Sequence, residues 1–465
     1  MKKKLKVMAV LLTIVLSFFG NAAYSYAESN GYYWPQGPTV TAPSAIVMDV
    51  TTGTILFEKN IHERHYPASI TKILTTLIAL ERCDLKETVT FSQDAIYKTE
   101  GTSIWRDIGE KMSLEDTLYA VMLGSANECA YATAEHVTGD YSEFIKLMNE
   151  KAASLGCVDS HFNNPHGLPD EDHYTSAYDM ALIARAAMLN EKFRTITGTS
   201  KYTIPETNKH DEKTYLVNHH AMLNYYHTGK YIYEYCVGGK TGYTQAARHT
   251  LVTYAYKDGM LLLSVVLNVD TTENQYKDTK TLLNYCFDNY QMLSVNDHED
   301  EYKTDDILES ANLSGREAYL EIDKDAMVIL PKTASFKDLV SKVVTLDGTD
   351  NIIGRIDYYY GDRFVGSANV KYTEVEVEEY KFRDYEKEKE RDDAIIMVLN
   401  IKVIIIVIVA ILSLAGIIYL LLYLKKNMYI IRYEMEAKKQ RKEKASRFRN
   451  LTASGKIKED RKFKR

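Results

Sequence analysis

Cysteine is scarce. Cys83, Cys129, Cys157, Cys236 and Cys286 are the only five in 465 residues. They are odd in number and scattered, so they read as buried thiols, with neither a disulfide framework nor a zinc site expected. Also missing is a phosphate loop. Gly239-Lys240-Thr241 has Glu234 where the pattern requires glycine, and a strand follows it where a helix is needed. His161, His166 and His173 lie outside metal-ligand spacing and read as surface loop histidines, so no metal and no cofactor is expected. The chain carries a net charge of −7, but its basic residues concentrate at the two ends. The stretch between them holds a charge of roughly −20, which argues against a nucleic-acid partner. No internal repeat is present, and long hydrophobic runs number only two.

Those two runs organise the chain. Met1-Lys2-Lys3-Lys4-Leu5-Lys6 precedes an apolar run from Val7 to Gly20, and Ser25-Tyr26-Ala27 supplies the small residues of a cleavage site. Residues 1–27 are therefore expected to be a secretory signal peptide. Val403 to Leu424 holds no charge and is long enough to cross a bilayer. Lys425-Lys426 and a basic tail over 425–465 follow it, so the tail is expected in the cytoplasm and everything before the span outside. The tail suits anionic lipid headgroups better than nucleic acid. Residues 380–402, charged and aromatic at their start, read as a stalk before the membrane.

The length and the 45 % hydrophobic content suffice for two or three domains with a real core. Glu28 to Thr41 reads as an irregular arm. Ala45 to Val50 and Thr54 to Glu58 flank Thr51-Thr52-Gly53 and predict a hairpin. The small and apolar run from Ala68 to Leu80, entered through Pro67, predicts a buried helix. Ser113 opens another, with Glu115 and Asp116 in its first turn. Gly124 breaks that pattern, placing Ser125 and Asn127 on a turn before the helical run Cys129 to Val137. His161 to Pro169 reads as a loop and Asp179 to Leu189 as an amphipathic helix. Thr250 to Ala255 and Leu261 to Val269 predict strands joined at Lys257-Asp258-Gly259. Asp278 to Leu293 reads as helical. Short strands then recur at 319–322, 327–330, 343–345, 354–357 and 364–366, predicting a small mostly-β domain over 294–379 after a domain spanning 28–293.

Three polar groups stand out against this background. Ser69 and Lys72 interrupt their apolar helix one turn apart, on the same face. A serine is a nucleophile only when a base takes its proton, and a lysine is that base only when burial or another cation lowers its pKa. Taken alone, the pair reads as a capping serine and a solvent-seeking lysine. Ser125-Ala126-Asn127 on its turn carries little weight alone. Lys240-Thr241-Gly242 on a strand edge can offer ammonium, hydroxyl and backbone donors to a carboxylate.

In this order and combination the three motifs resemble the penicillin-binding protein and serine β-lactamase superfamily. Within it the chain is similar to the D-alanyl-D-alanine carboxypeptidases, or low-molecular-mass penicillin-binding proteins. The stretches Asn164-Pro165-His166-Gly167-Leu168, Thr175-Ser176-Ala177-Tyr178-Asp179 and Lys240-Thr241-Gly242-Tyr243-Thr244 add to the resemblance. It is strong from Ala45 to Leu293 and weaker to Tyr372. It implies an α/β (α+β) fold of the β-lactamase/transpeptidase type, with a central antiparallel sheet and helices. The small β domain and the C-terminal transmembrane helix complete the expected architecture.

The resemblance also implies roles. Ser69 would attack the peptide bond between two terminal D-alanines, forming an acyl-enzyme that water hydrolyses. Lys72 would be the base, kept neutral by burial and by Lys240. Ser125 would relay a proton to the leaving amine, and Asn127 would position the substrate amide and Lys72. Lys240, Thr241 and Thr244 would bind the carboxylate. Backbone N–H groups of Ser69 and Tyr243, with Gly242 between Thr241 and Tyr243, would form the oxyanion hole. The implied partners are a peptidoglycan stem peptide ending in D-Ala-D-Ala, β-lactams as covalent inhibitors, and the membrane.

Two departures stand within the resemblance. Glu128 follows the Ser-x-Asn motif where the family usually has Asp, and Asn218-His219-His220 stands where the family often has Asn-x-Asn; either could alter substrate-side contacts without touching the core chemistry. A β-lactamase activity is disfavoured, because the Glu-x-x-Leu-Asn pattern that would activate a deacylating water has Ala186 in place of glutamate. Endopeptidase cleavage of cross-links would use the same residues. A silent peptidoglycan-binding scaffold is opposed by the intact Ser69, Lys72 and Lys240.

Overall fold

A computed structural model describes residues 32–224, 228–301, 318–345 and 352–374, together with Lys439 and Lys442. The expected signal peptide, stalk and membrane span lie outside the described residues, and the basic tail is described only at those two lysines. Among the described residues no helix is long and apolar enough to cross a membrane.

The predicted hairpin is present as β1 (Ser44–Asp49) and β2 (Ile55–Lys59). Near the other end of this domain, β7 (Cys236–Thr244), β8 (Arg248–Lys257) and β9 (Met260–Val269) follow one another. These five form one antiparallel sheet in the order β2-β1-β9-β8-β7. The β8–β9 turn has Asp258 and Gly259 both at positive φ, the geometry that matches the twist of a two-residue hairpin.

Alternate residues of the sheet serve two different cores. Ile46, Met48, Val252, Tyr254, Leu263 and Val265 face one cluster, while Ala45, Val47, Leu251, Ala255, Leu262 and Val266 face the other. A sheet buried on both faces needs helices on both, which explains why β1 is apolar nearly throughout. On the first face lie α1 (Lys72–Arg82), α3 (Leu114–Met122), α4 (Asn127–Thr138), α5 (Tyr141–Ser154), α6 (Ala177–Leu189) and α7 (Glu191–Gly198). The short α2 (Gln93–Tyr97) stands between two edge strands, β3 (Thr88–Thr90) and β4 (Lys111–Ser113), which pair with each other. A second small pair is β5 (Lys201–Ile204) with β6 (Thr214–Val217). The opposite face is covered by α8 (Thr272–Asn289).

Three sequence expectations shift. The Ala68–Leu80 helix is split: Ala68–Thr71 is a 3-10 turn and α1 begins at Lys72. The helix expected from Asp278 to Leu293 stops at Asn289, because β10 (Tyr290–Ser294) pairs with β12 (Met327–Pro331). Tertiary pairing there overrides local helical pattern. Asn127 is the first residue of α4, so only Ser125 stays in the turn.

Beyond α8, β10 and β12 join β11 (Ala318–Ile322), β13 (Val340–Thr345), β14 (Ile352–Tyr360) and β15 (Arg363–Glu374) in a second sheet, ordered β10-β12-β15-β14-β13 with β11 also on β15. Val328, Leu330, Ile356, Tyr358 and Val365 form its core. The arm before β1 ties the two parts together. Trp34 packs on Tyr290 and Tyr360, and the Tyr285 hydroxyl donates to the Pro35 carbonyl at 2.7 Å.

Candidate active site

Ser69 sits at the junction between the 3-10 turn and α1, half-buried, with Ala68 before it at φ +52°. A left-handed φ is uncommon outside glycine, and such outliers cluster where geometry serves function. The strain is held from two sides. A Cβ on Gly167, itself at φ +89°, would overlap the Ala68 carbonyl, and one on Gly242 would stand 2.9 Å from the Ser69 nitrogen. Glycine at both places lets the loop and β7 close onto the nucleophile's backbone.

Lys72 is completely buried. Its Nζ lies 3.0 Å from Ser69 Oγ, 2.7 Å from Asn127 Oδ1 and 2.6 Å from the His166 carbonyl oxygen. The last two are oxygens that only accept, so they take two N–H bonds. A neutral amine then has its lone pair left for the Ser69 hydroxyl proton. The charge state agrees: burial first, and the nearby Lys240 second, hold Lys72 well below the usual ammonium value, against a smaller opposing pull from Glu128.

The other two motifs converge on this pair. Lys240, on β7, donates to Ser125 Oγ at 3.0 Å and to the Thr241 carbonyl at 3.0 Å. Burial brings its pKa down to about 7. Ser125 has φ +58° and is buried, held out of the helical path between α3 and α4. Asn127 is anchored twice more, its Nδ2 donating to the Glu100 carbonyl and its backbone N–H to that of Thr102. Thr241 and Thr244 are half-buried and Tyr243 is exposed along the same strand. Thr244 Oγ1 accepts from the Ala247 N–H at 3.0 Å, which ties it to the β7–β8 turn.

The structure brings in residues that sequence patterning read otherwise. His166 and His173 are buried, where loop histidines were expected at the surface; only His161 is exposed. The Asn163 N–H donates to His173 Nδ1, so Nε2 carries the proton and donates to Thr71 Oγ1 at 2.9 Å. Burial lowers His173 to about 3 and holds it neutral. Thr75 Oγ1 donates to the Pro165 carbonyl at 2.6 Å, and Asn164 Oδ1 accepts from the Gly167 N–H. Together these bonds clamp the 163–168 loop against α1 and aim the His166 carbonyl at Lys72. The Asn164-to-Leu168 stretch carried a signal through family likeness alone.

Both departures are structural supports. Glu128 is buried and accepts from Ser103 Oγ and from the Ile104 N–H, each at 2.7 Å, so it shapes the 100–106 loop. His220 is buried behind β7, where a Cβ on Gly239 would collide with its ring, and lies 2.9 Å from Thr253 Oγ1. Neither points to contact with substrate. The five cysteines are unpaired, three of them buried, and Cys83 and Cys157 half-buried. Among the described residues one group, Cys83, Glu87 and His136, brings three potential metal-ligating atoms within 4.8 Å of one another. It lies past the far end of α1 from Ser69 and outside this chemistry.

A nucleophile with a neutral buried base, a second serine bonded to a second lysine, and a strand edge beside the nucleophile's N–H make an acyl-transfer site. A family model described as D-alanyl-D-alanine carboxypeptidase matches residues 33–271, over half of the chain. The chain belongs to the D-alanyl-D-alanine carboxypeptidase family. It is thus a serine-type carboxypeptidase, a hydrolase. D-alanyl-D-alanine carboxypeptidase DacF of Bacillus subtilis is 31% identical over 318 residues, covering 67% of this chain and 77% of that protein. DacB2 of Mycobacterium tuberculosis is 33% identical over 235 residues, covering 50% of this chain and 76% of its own. Among solved structures, penicillin binding protein 5 from Haemophilus influenzae superposes with a TM-score of 0.55 at 25% identity, over 73% of this chain and 98% of that one. The Streptomyces K15 DD-transpeptidase gives a TM-score of 0.50 at 27% identity over 55% of this chain and all of that one. The likeness to penicillin binding protein 5 reaches beyond residues 33–271, as its coverage requires.

Proposed function

We propose that this carboxypeptidase removes the terminal D-alanine from peptidoglycan stem pentapeptides through an acyl-enzyme on Ser69. The observation that carries the reading is the bonding of Lys72, whose two acceptor-only partners leave a lone pair aimed at Ser69 Oγ. Lys72 takes the hydroxyl proton as Ser69 attacks the carbonyl of the penultimate D-alanine. The carbonyl oxygen becomes an oxyanion between the backbone N–H groups of Ser69 and Tyr243, a reading supported by the close approach of neighbouring Gly242 to the Ser69 nitrogen. Ser125, whose oxygen accepts from Lys240, has its own proton free for the leaving amine. D-alanine departs, and water attacks the ester with Lys72 again as base. Lys240 and Thr241 hold the terminal carboxylate by charge and hydroxyl. Thr244 lies three residues beyond Thr241, about 10 Å at strand rise, so its part lies toward the other end of the strand.

A β-lactam presents a carbonyl and a carboxylate to the same groups and would acylate Ser69. The acidic exported domain, the signal at 1–27 and the apolar run at 403–424 support a single-pass membrane protein with its catalytic domain outside and its basic tail in the cytoplasm. The test is mass spectrometry of the full chain in detergent micelles acting on a stem pentapeptide. Wild type is expected to release one D-alanine, and Ser69→Ala none. Release by Ser69→Ala at the wild-type rate would remove Ser69 from the mechanism, and cleavage of cross-linked dimers faster than pentapeptide would reassign it to endopeptidation.

A further inference from the structure

Away from Ser69, three segments bring three different ligand types together. Cys83 Sγ, a carboxylate oxygen of Glu87 and an imidazole nitrogen of His136 all lie within 4.8 Å of one another. We propose that this triad is a zinc site, with Cys83, Glu87 and His136 as its protein ligands and water in the fourth position. The inference goes beyond the carboxypeptidase reading and does not depend on it.

Geometry is the first argument. Zn–S bonds of about 2.3 Å and Zn–N or Zn–O bonds of about 2.0–2.2 Å, at tetrahedral angles, put ligand atoms roughly 3.3–3.7 Å apart. His136 Nε2 stands 3.0 Å from Glu87 Oε2, and no pair in the triad exceeds 4.8 Å. An ion among them asks for side-chain shifts of no more than roughly 1.5 Å, within the reach of rotation about side-chain bonds. The backbone beneath is tied down. The Cys83 N–H donates to the Ala79 carbonyl as α1 ends, and the Glu87 N–H donates to the Asp84 carbonyl. The Glu87 carbonyl in turn accepts from Leu114, the first residue of α3. Glu87 is also oriented from behind: its Oε1 accepts from the Asp84 N–H at 2.6 Å, which leaves Oε2 toward His136. Outer bonds of this kind hold a ligating carboxylate in place.

Chemistry is the second. A thiolate and a carboxylate carry two negative charges, which Zn²⁺ cancels, and a neutral imidazole completes the set. The thiol proton leaves to solvent as the Zn–S bond forms, so charge and protons balance. Sulfur with imidazole selects zinc over Ca²⁺ and Mg²⁺, which take oxygen ligands. A plain His136–Glu87 ion pair has no use for a thiol; the third ligand, from the end of another helix, sets this group apart. The His136 side chain is 17 % exposed and that of Glu87 44 %, which gives an ion and its water a way in. The chain order hides the site, because 49 positions separate Glu87 from His136.

Placement gives the ion its role. Lys72 opens α1 and Asn127 opens α4, and the two side chains are bonded at 2.7 Å. Cys83 lies about 16 Å along α1 from Lys72, and His136 about 13 Å along α4 from Asn127, at helical rise. Zinc there staples the far ends of the two helices whose near ends hold the base and its asparagine. It stabilises the fold and stays out of the reaction.

The test uses the full chain in detergent, stripped with a chelator and dialysed against buffered free Zn²⁺, then against Co²⁺ as a coloured substitute. One zinc per chain is expected, and Co²⁺ is expected to show a thiolate charge-transfer band with the intense visible bands of a four-coordinate ion. Cys83→Ala, Glu87→Gln and His136→Gln are each expected to weaken zinc at least about 100-fold, the upper end of what losing an outer support costs. Zinc at a hundredfold excess over its Kd is expected to raise the wild-type Tm by roughly 5–10 °C and to leave that of Cys83→Ala in place. Binding is counted per folded chain, measured by circular dichroism, so a poorly folding variant cannot imitate lost affinity. A wild type that retains no zinc, an affinity that survives Cys83→Ala and His136→Gln, or a cobalt spectrum without the thiolate band each overturns the site.

Discussion

At the residue scale the site turns on two buried lysines with opposite duties. In the proposed mechanism Lys72 must be neutral to accept a proton, and Lys240 must be charged to hold a carboxylate. Burial pushes both down, and at Lys72 the nearby Lys240 is a second cause. The free-enzyme profile of kcat/KM is therefore expected to be bell-shaped, with an acid limb from Lys72 and an alkaline limb near pH 7 from Lys240. Arg in place of Lys240 stays charged, so Lys240→Arg is expected to abolish the alkaline limb while lowering the maximum. A limb unmoved in that variant would assign it to another group. Lys240→Ala removes the second cause of the Lys72 shift but not the first, so the acid limb is expected to move up only part of the way to an ordinary lysine. Gly167 offers a separate check. Gly167→Ala forces the 163–168 loop off Ala68, and acylation by a fluorescent penicillin is expected to fall at least about tenfold together with a stability loss of about 1–3 kcal/mol.

At the scale of elements, the 100–106 loop beside α4 depends on one carboxylate. Glu128 holds Ser103 and Ile104, and the next residue, Trp105, stands at φ +61° with most of its side chain exposed. The loop in turn receives Asn127 through Glu100 and Thr102. Glu128→Ala leaves those donors unsatisfied, at a cost of about 1–3 kcal/mol, and is expected to lower kcat more than it raises KM, because Asn127 also fixes Lys72. Only two tryptophans are present, so in a Trp34→Phe background Trp105 reports alone. Its fluorescence anisotropy is expected to drop in Glu128→Ala, and an unchanged value would show the loop to be held by its other bonds. The hairpin of β1 and β2, the helix opened by Ser113 and the β8–β9 turn were all readable from the chain. Each depends on neighbours in sequence: alternation, a capping serine, a pair of turn residues able to take positive φ. The end of α8 was not readable, because Tyr290 leaves the helix to pair with Pro331 of a later strand.

For the whole molecule, three buried histidines among the described residues make acid its weak side. Burial lowers His173 to about 3 and His220 to about 4, and His166 well below the usual imidazole range. Each is neutral when folded and protonates freely at about 6.5 when unfolded, so the unfolded state binds more protons between those values. Stability from this source is present above pH 6.5 and is lost as pH falls toward 3. Urea midpoints measured from pH 7 to pH 4 are expected to decline, and His173→Gln to decline less steeply from a lower start. An identical slope in the variant would place the acid sensitivity elsewhere. The aromatic contacts of Trp34 with Tyr290 and Tyr360 join the arm to both sheets, so the two sheets share part of their packing.

By itself, the sequence determined the three motifs and their order, the strands and helices around them, the acidic middle and the two long apolar runs. Those are properties of neighbours along the chain, and periodicity, turn chemistry and residue type suffice to express them. Only the tertiary structure decided that Lys72 lies buried between Asn127, the His166 carbonyl and Ser69, and that Lys240 reaches Ser125 across 115 positions of chain. It also decided that two loop histidines are interior posts. Burial and long-range hydrogen bonds arise from packing distant segments together, and they turn an unremarkable Ser-x-x-Lys into a nucleophile with its base.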